Sequence, residues 1–240
     1  MIKNGKIVHG FMKKAIIFDF HGTLTNDKVL PEVFSYLAKR ATGAELPAKD
    51  FGKYFGIFTI DIFRNALKDN KIVDDLEAKV NRCMKEYSKH YPKEVVKKAT
   101  LLEGIKESLS GLEDEGFSVY ICSSTLKVGL KKHIEKVGLN KYWSHTITQE
   151  DMEGRKTKYT PAFEKFGLLD KEVYIVEDNP VGIREAQKTI KNLKIKNAHI
   201  IAVRTGYVYK NDKELKEAGA DVILDSVTDL PDYFRKKKAL

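Results

Sequence analysis

An apolar run of strand length, Ala15-Ile-Ile-Phe18, ends on a carboxylate at Asp19, and Gly22 and Thr23 follow closely. A run this short, with a charge before it and a turn after it, reads as a strand buried on both faces, as in parallel sheets. In an open α/β sheet the C-terminal strand ends border the ligand crevice, so an acid there faces a binding site. The alternative is an Asp that only caps the following turn. The rest of the chain bears on that choice.

From Leu102 onward strands and helices alternate. The pattern predicts a helix over 102–112 stopped by Gly116, a strand over 117–122, and a helix over 127–137 ended by Gly138. It then predicts a strand near 145–148 and a short helix to Phe166 with Thr160 as N-cap and Pro161 in its first turn. A strand over 173–176, a helix over 180–190, a strand over 200–203, a helix over 213–218, a strand over 222–224 and a final helix follow. This alternation implies α/β architecture: a Rossmann-like parallel sheet with helices on both faces and right-handed crossovers. Between the first strand and this region the apolar period changes to helical. Val33, Leu37 and Ala41 form one stripe; Phe51, Phe55, Phe58 and Ile62 a second; Leu76, Val80, Met84 and Tyr87 a third. Breaks fall at 43–47 and near Asn70. The expected organisation is a core of 1–25 and 100–240 with an inserted helical domain over 26–99. The aromatic stripe fits a bundle core, or in part a pocket wall. The segment 1–12 reads as a short strand, a frayed tail or an extension from an upstream start codon ahead of Met12-Lys-Lys.

At 240 residues the chain can build a large domain with a smaller appendage. No apolar run has the length of a bilayer span, and the N-terminus lacks a signal-peptide pattern. Cys83 and Cys122 have no metal or redox spacing, which fits a reducing cytoplasm. The net charge of +9 is carried mostly by dispersed Lys, which fits a solvated surface and argues against a nucleic-acid partner. The basic run Arg235–Lys238 fits a helix C-terminus.

Three of these strands end in polar groups at one sheet edge: Asp19, then Ser123-Ser-Thr125, then Glu177-Asp178. Gathered carboxylates repel, and a divalent cation resolves that repulsion. Mg²⁺ takes a few protein oxygens and leaves room for phosphate oxygens. Asp19 and Asp178 supply the charge, with Glu177 acting through water, while Ser123 and backbone N–H groups hold phosphoryl oxygens.

With those residues in view, the chain resembles the haloacid dehalogenase superfamily of phosphatases and phosphomutases over nearly all of its length after Met12. Asp19-Phe-His-Gly-Thr-Leu-Thr25 resembles its first motif, Ile121-Cys-Ser-Ser124 its second, Lys158-Tyr-Thr-Pro161 its third and Glu177-Asp-Asn-Pro-Val-Gly-Ile183 its fourth. The insert sits where this family carries a cap. The resemblance implies a Mg²⁺-dependent phosphatase for a small phosphorylated metabolite, working through an aspartyl-phosphate on Asp19. It further implies metal contacts from Asp19, the His21 carbonyl and Asp178, and phosphate contacts from Ser123, Ser124 and Lys158. Two features depart from the family. His21 stands where its phosphatases have a second Asp, so His21 takes the general acid–base role. The segment between Lys158 and Glu177 is short by about one helical turn, which makes Lys156 the fallback for Lys158. His21 also keeps open a metal-free 2-haloacid dehalogenase, or a binding module with weakened turnover. The cap and Glu177-Asp178 keep open a phosphomutase.

Overall fold

The computed structural model describes residues 2–3, 6–7, 14–26, 28–98, 100–152, 154, 157–209 and 211–238. A two-stranded antiparallel pair, β1 (Ile2–Lys3) and β2 (Lys6–Ile7), precedes the main body, which settles the strand-or-tail reading for those four residues. The main sheet is six-stranded and parallel: β3 (Lys14–Phe18), β4 (Phe117–Cys122), β5 (Thr146–Ile147), β6 (Glu172–Glu177), β7 (Ala198–Val203) and β8 (Val222–Leu224). Its order is β5-β4-β3-β6-β7-β8, so β3 is central.

The period of two along each strand divides the core. Ile16 and Phe18 face one layer with Val119, Ile121, Tyr174 and Val176, whereas Ala15 and Ile17 face the other with Tyr120, Cys122, Val173 and Ile175. The first layer is covered by α5 (Ile105–Asp114), α6 (Lys127–Val137) and α10 (Leu230–Lys238), and the second by α7 (Thr160–Phe166), α8 (Pro180–Leu193) and α9 (Asp212–Ala218). Ile16, Ile17 and Phe18 are wholly buried, and each such side chain contributes about 1.5–3 kcal/mol. This explains why β3 must be a continuous apolar run.

Residues 30–98 hold α1 (Leu30–Thr42), α2 (Ala48–Gly52), α3 (Thr59–Asp69) and α4 (Leu76–Lys98), packed on a core of their own that includes Leu37, Phe51, Phe63 and Tyr87. The stripe from Phe51 to Ile62 is not one helix. It breaks after Gly52 into turns closed by Tyr54 N–H to the Phe51 carbonyl and Phe55 N–H to the Gly52 carbonyl, and Gly56 at φ +101° ends them. The break gives the aromatics separate fates: Phe51 is buried in the bundle, Phe55 also lines a cavity, and Phe58 packs on the sheet's second layer.

Two helix starts also differ from the pattern. Leu102 donates its N–H to the Leu24 carbonyl and stays extended, so α5 begins only after Gly104 in a left-handed conformation. Tyr159, not Thr160, is the N-cap residue of α7, because the Thr160 hydroxyl is drawn to Thr157 Oγ1 at 2.6 Å. Both cysteines are buried and unpaired, and no helix among the described residues is long and apolar enough to cross a membrane.

Candidate active site

The register brings the polar strand ends level. Phe18 lies beside Ile121 and Val176, so Asp19, Ser123 and Asp178 emerge at one edge. Asp19 N–H continues the ladder to the Val176 carbonyl at 2.9 Å, and Ser123 N–H does the same to Ile147 at 3.0 Å. The carboxylates of Asp19, Glu177 and Asp178 come within 4.8 Å of one another, and all three residues are buried.

Lys158 crosses to this cluster from the turn before α7. Its Nζ donates to Asp19 Oδ1 at 2.6 Å and to Glu177 Oε1 at 2.7 Å. The Tyr159 hydroxyl also donates to Glu177 Oε1, while Asp178 N–H and Asn179 Nδ2 reach Oε2 at 3.3 Å each. Glu177 is therefore engaged on both oxygens. Asp178 accepts from the Thr23 hydroxyl at 3.0 Å. Close backbone approach shapes both acids: a Cβ on Gly182 would fall 2.0 Å from Glu177 Oε1, and one on Gly206 2.1 Å from Asp178 Oδ2.

Burial pushes the Asp19 carboxyl up to about 7, although Lys158 opposes the shift. Burial disfavours the Lys158 ammonium as well, but the carboxylates of Asp19 and Glu177 overcome it and raise Lys158 above its ordinary range. The two upward shifts describe a crowded anionic site that needs cations to stay ionised. Three acids offering only oxygen so close together match the donor set of a hard divalent ion. Asp19 and Asp178 would hold Mg²⁺ there.

His21 lies beside the cluster with its ring held by three side chains. Nε2 meets His133 Nδ1 at 3.1 Å and the Tyr91 hydroxyl at 3.3 Å, and Nδ1 meets the Thr125 hydroxyl at 3.3 Å. Burial, then the neighbouring His133 and Lys158, depress His21 well below the usual imidazole range, so it is neutral. A cavity of about 60 Å³ opens between the sheet edge and the helices of 30–98, bordered by Asp19, His21, Ser123, Ser124 and Asp178 on the sheet side. The Ser124 hydroxyl donates to the Gly56 carbonyl at 3.5 Å, and Ser123 Oγ accepts from Thr125 N–H at 3.3 Å. Lys156 lies outside the described residues.

The profile of the haloacid dehalogenase-like hydrolases matches residues 16–196, a span from within β3 to just past α8 that contains the three acids, Lys158, His21 and the groups around it. The chain belongs to that family. Among curated relatives, pyrophosphatase PpaX of Halalkalibacterium halodurans is 26% identical over 221 residues, 90% of this chain and 94% of that protein. A phosphoglycolate phosphatase of Mesorhizobium japonicum is 22% identical, over 89% of this chain and 92% of its own length. The crystal structure of a hydrolase from Pseudomonas syringae superposes with a TM-score of 0.73 at 20% identity, covering 93% of this chain and 98% of that one. It shares the fold.

Within this member of the family, sequence reading placed Thr125 at the sheet edge without linking it to His21, and passed over Thr23, Tyr91, His133 and Tyr159 as site residues. Thr23 and Tyr159 sit inside motifs already singled out. Tyr91 and His133 carried no signal, because each is one residue on an amphipathic helix and meets His21 only through folding.

Proposed function

We propose that this hydrolase is a Mg²⁺-dependent phosphatase acting on a small phosphorylated metabolite, with 1–25 and 100–240 as catalytic core and 26–99 as cap. The observation that carries this reading is the convergence of Asp19, Asp178 and Lys158 from three remote stretches on one buried point. The phosphatase names of the curated relatives support it.

In the proposed reaction an Asp19 carboxylate oxygen attacks phosphorus. The Asp19–phosphorus bond forms as the ester P–O bond breaks, and the alcohol oxygen leaves with the electron pair and takes its proton from solvent. Water then attacks phosphorus, its proton passes to neutral His21 and from there to solvent, and the Asp19–phosphorus bond breaks to return the carboxylate. Lys158 faces the developing charge with a fixed ammonium, and Glu177 together with Tyr159 holds it there. Ser123, Ser124 and neighbouring N–H groups bind phosphoryl oxygens. Bound Mg²⁺ would supply Lewis-acid neutralisation of the phosphoryl group. The helices over the cavity exclude bulk water.

The test is release of inorganic phosphate from p-nitrophenyl phosphate with Mg²⁺ and with chelator. Phosphate release is expected only with Mg²⁺, and Asp19→Asn is expected to abolish it. Retained activity in Asp19→Asn would end this reading. Chelator-resistant halide release from a 2-haloacid would replace it with the dehalogenase.

A further inference from the structure

The cavity over Asp19 has two chemically different walls. The sheet side carries the acids and hydroxyls. The other side is built by Phe34, Phe55, Ile57, Ile62, Tyr87 and Val208. Tyr87 stacks on Tyr91 with ring centroids 4.2 Å apart at 19°, and Phe34 lies 5.7 Å from both Phe55 and Tyr87, so this wall is a continuous aromatic surface. Its polar members are neutral: Thr59, the tyrosine hydroxyls and Asn179. No Lys or Arg lines the cavity among the described residues.

Lys49, Lys53 and Arg184 border a separate groove that shares only Phe55 and Val208 with the cavity. Lys53 is already paired to Asp69 at 2.5 Å. Lys158 approaches Asp19 from the core and is spent on Asp19 and Glu177. A leaving group with its own carboxylate or phosphate would point at this neutral wall and meet no cationic side chain there among the described residues. An unpaired charge in such surroundings is strongly disfavoured.

We propose that the substrate is a phosphate monoester of a small uncharged alcohol whose body is aromatic or branched apolar, and that the cap wall rejects anionic leaving groups. This rests on the phosphatase reading and narrows it away from the pyrophosphate and phosphoglycolate chemistry in the relatives' names. The bond changes are those already given; the alcohol that departs from phosphorus is neutral once protonated.

The experiment compares two non-hydrolysable probes, benzylphosphonate and phosphonoacetate, by titration calorimetry with Mg²⁺ present. It is paired with kcat/KM for benzyl phosphate and phosphoglycolate, both esters of primary alcohols. Benzylphosphonate is expected to bind at least ~10-fold tighter and benzyl phosphate to be favoured by roughly 100-fold, the range that unpaired polar groups and pocket shape supply. Ile57→Lys, on the partly exposed turn before α3, is expected to shift the preference toward phosphoglycolate by ~10-fold or more. Val208→Lys, on another loop, repeats the test if that variant does not fold. Equal or tighter binding of phosphonoacetate, with Mg²⁺-dependent phosphate release intact, overturns this inference alone. Failure of both probes to bind, together with no phosphate release from p-nitrophenyl phosphate, overturns it along with the phosphatase reading.

Discussion

His133 offers a direct measure of how strongly the core around His21 resists charge. The residue sits on α6 with 1% exposure, edge-on to Phe20 at 4.9 Å, and its Nε2 has no hydrogen-bond partner. Burial depresses its imidazole from 6.5 to about 4. The folded protein therefore holds His133 neutral through a range in which the unfolded chain takes up a proton. The resulting stability is fully present above pH 6.5 and is lost as the pH falls to about 4. That depression corresponds to about 3 kcal/mol. His21, depressed by burial and by His133 itself, acts with the same sign.

The perturbation is His133→Leu, which removes the titrating ring and its orphaned nitrogen while keeping an apolar body against Phe20. Near pH 8 the variant is expected to lie about 1–3 kcal/mol below the parent, since His21 Nε2 loses its His133 partner. Urea unfolding from pH 8 to pH 4 is the assay. The parent is expected to lose about 3 kcal/mol more than the variant across that range. Parallel stability curves for the two proteins would refute the reasoning, because they would mean that the ring is protonated in the folded state without penalty.

Lys158→Met leaves Asp19 and Glu177 facing one another without their shared ammonium. Unfolding free energy in chelator is expected to drop by about 3–5 kcal/mol, and phosphate release is expected to fall to background. Asp19→Asn added to Lys158→Met is expected to recover part of that stability without recovering turnover, because it removes one of the two uncompensated charges; urea titration reads the first and the phosphate assay the second. Gly206→Ala would drive a Cβ into Asp178. Mg²⁺ affinity measured by calorimetry is expected to weaken more than ~10-fold, as for other displaced metal-site partners.

How much could be read from the chain alone varied with distance along it. The parallel sheet was legible because each strand carries its own evidence, a short apolar run ended by a polar group. Local competition was harder to see. The Phe51–Ile62 stripe has helical spacing, yet Gly52 and Gly56 break it, and the Thr160 hydroxyl prefers Thr157 to the helix end that follows it. For the site, the candidates Asp19, Ser123, Glu177 and Asp178 were visible because they sit at strand ends, where the fold has no choice about placing them, and Lys158 because it falls in a motif just ahead of a helix-opening proline.

What the sequence alone determined is the central strand with its acid, the order of the α/β units and the charges that gather at one edge. These follow from periods and strand ends, which act within a few residues. The tertiary structure alone decided that His133 and Tyr91 grip His21, that Glu177 is spent on Lys158 and Tyr159, and that the described residues opposite Asp19 make an aromatic wall without cations. Each of these is a meeting of side chains from remote elements. Which face of a helix meets which strand end is set by packing between layers, and no local period encodes it.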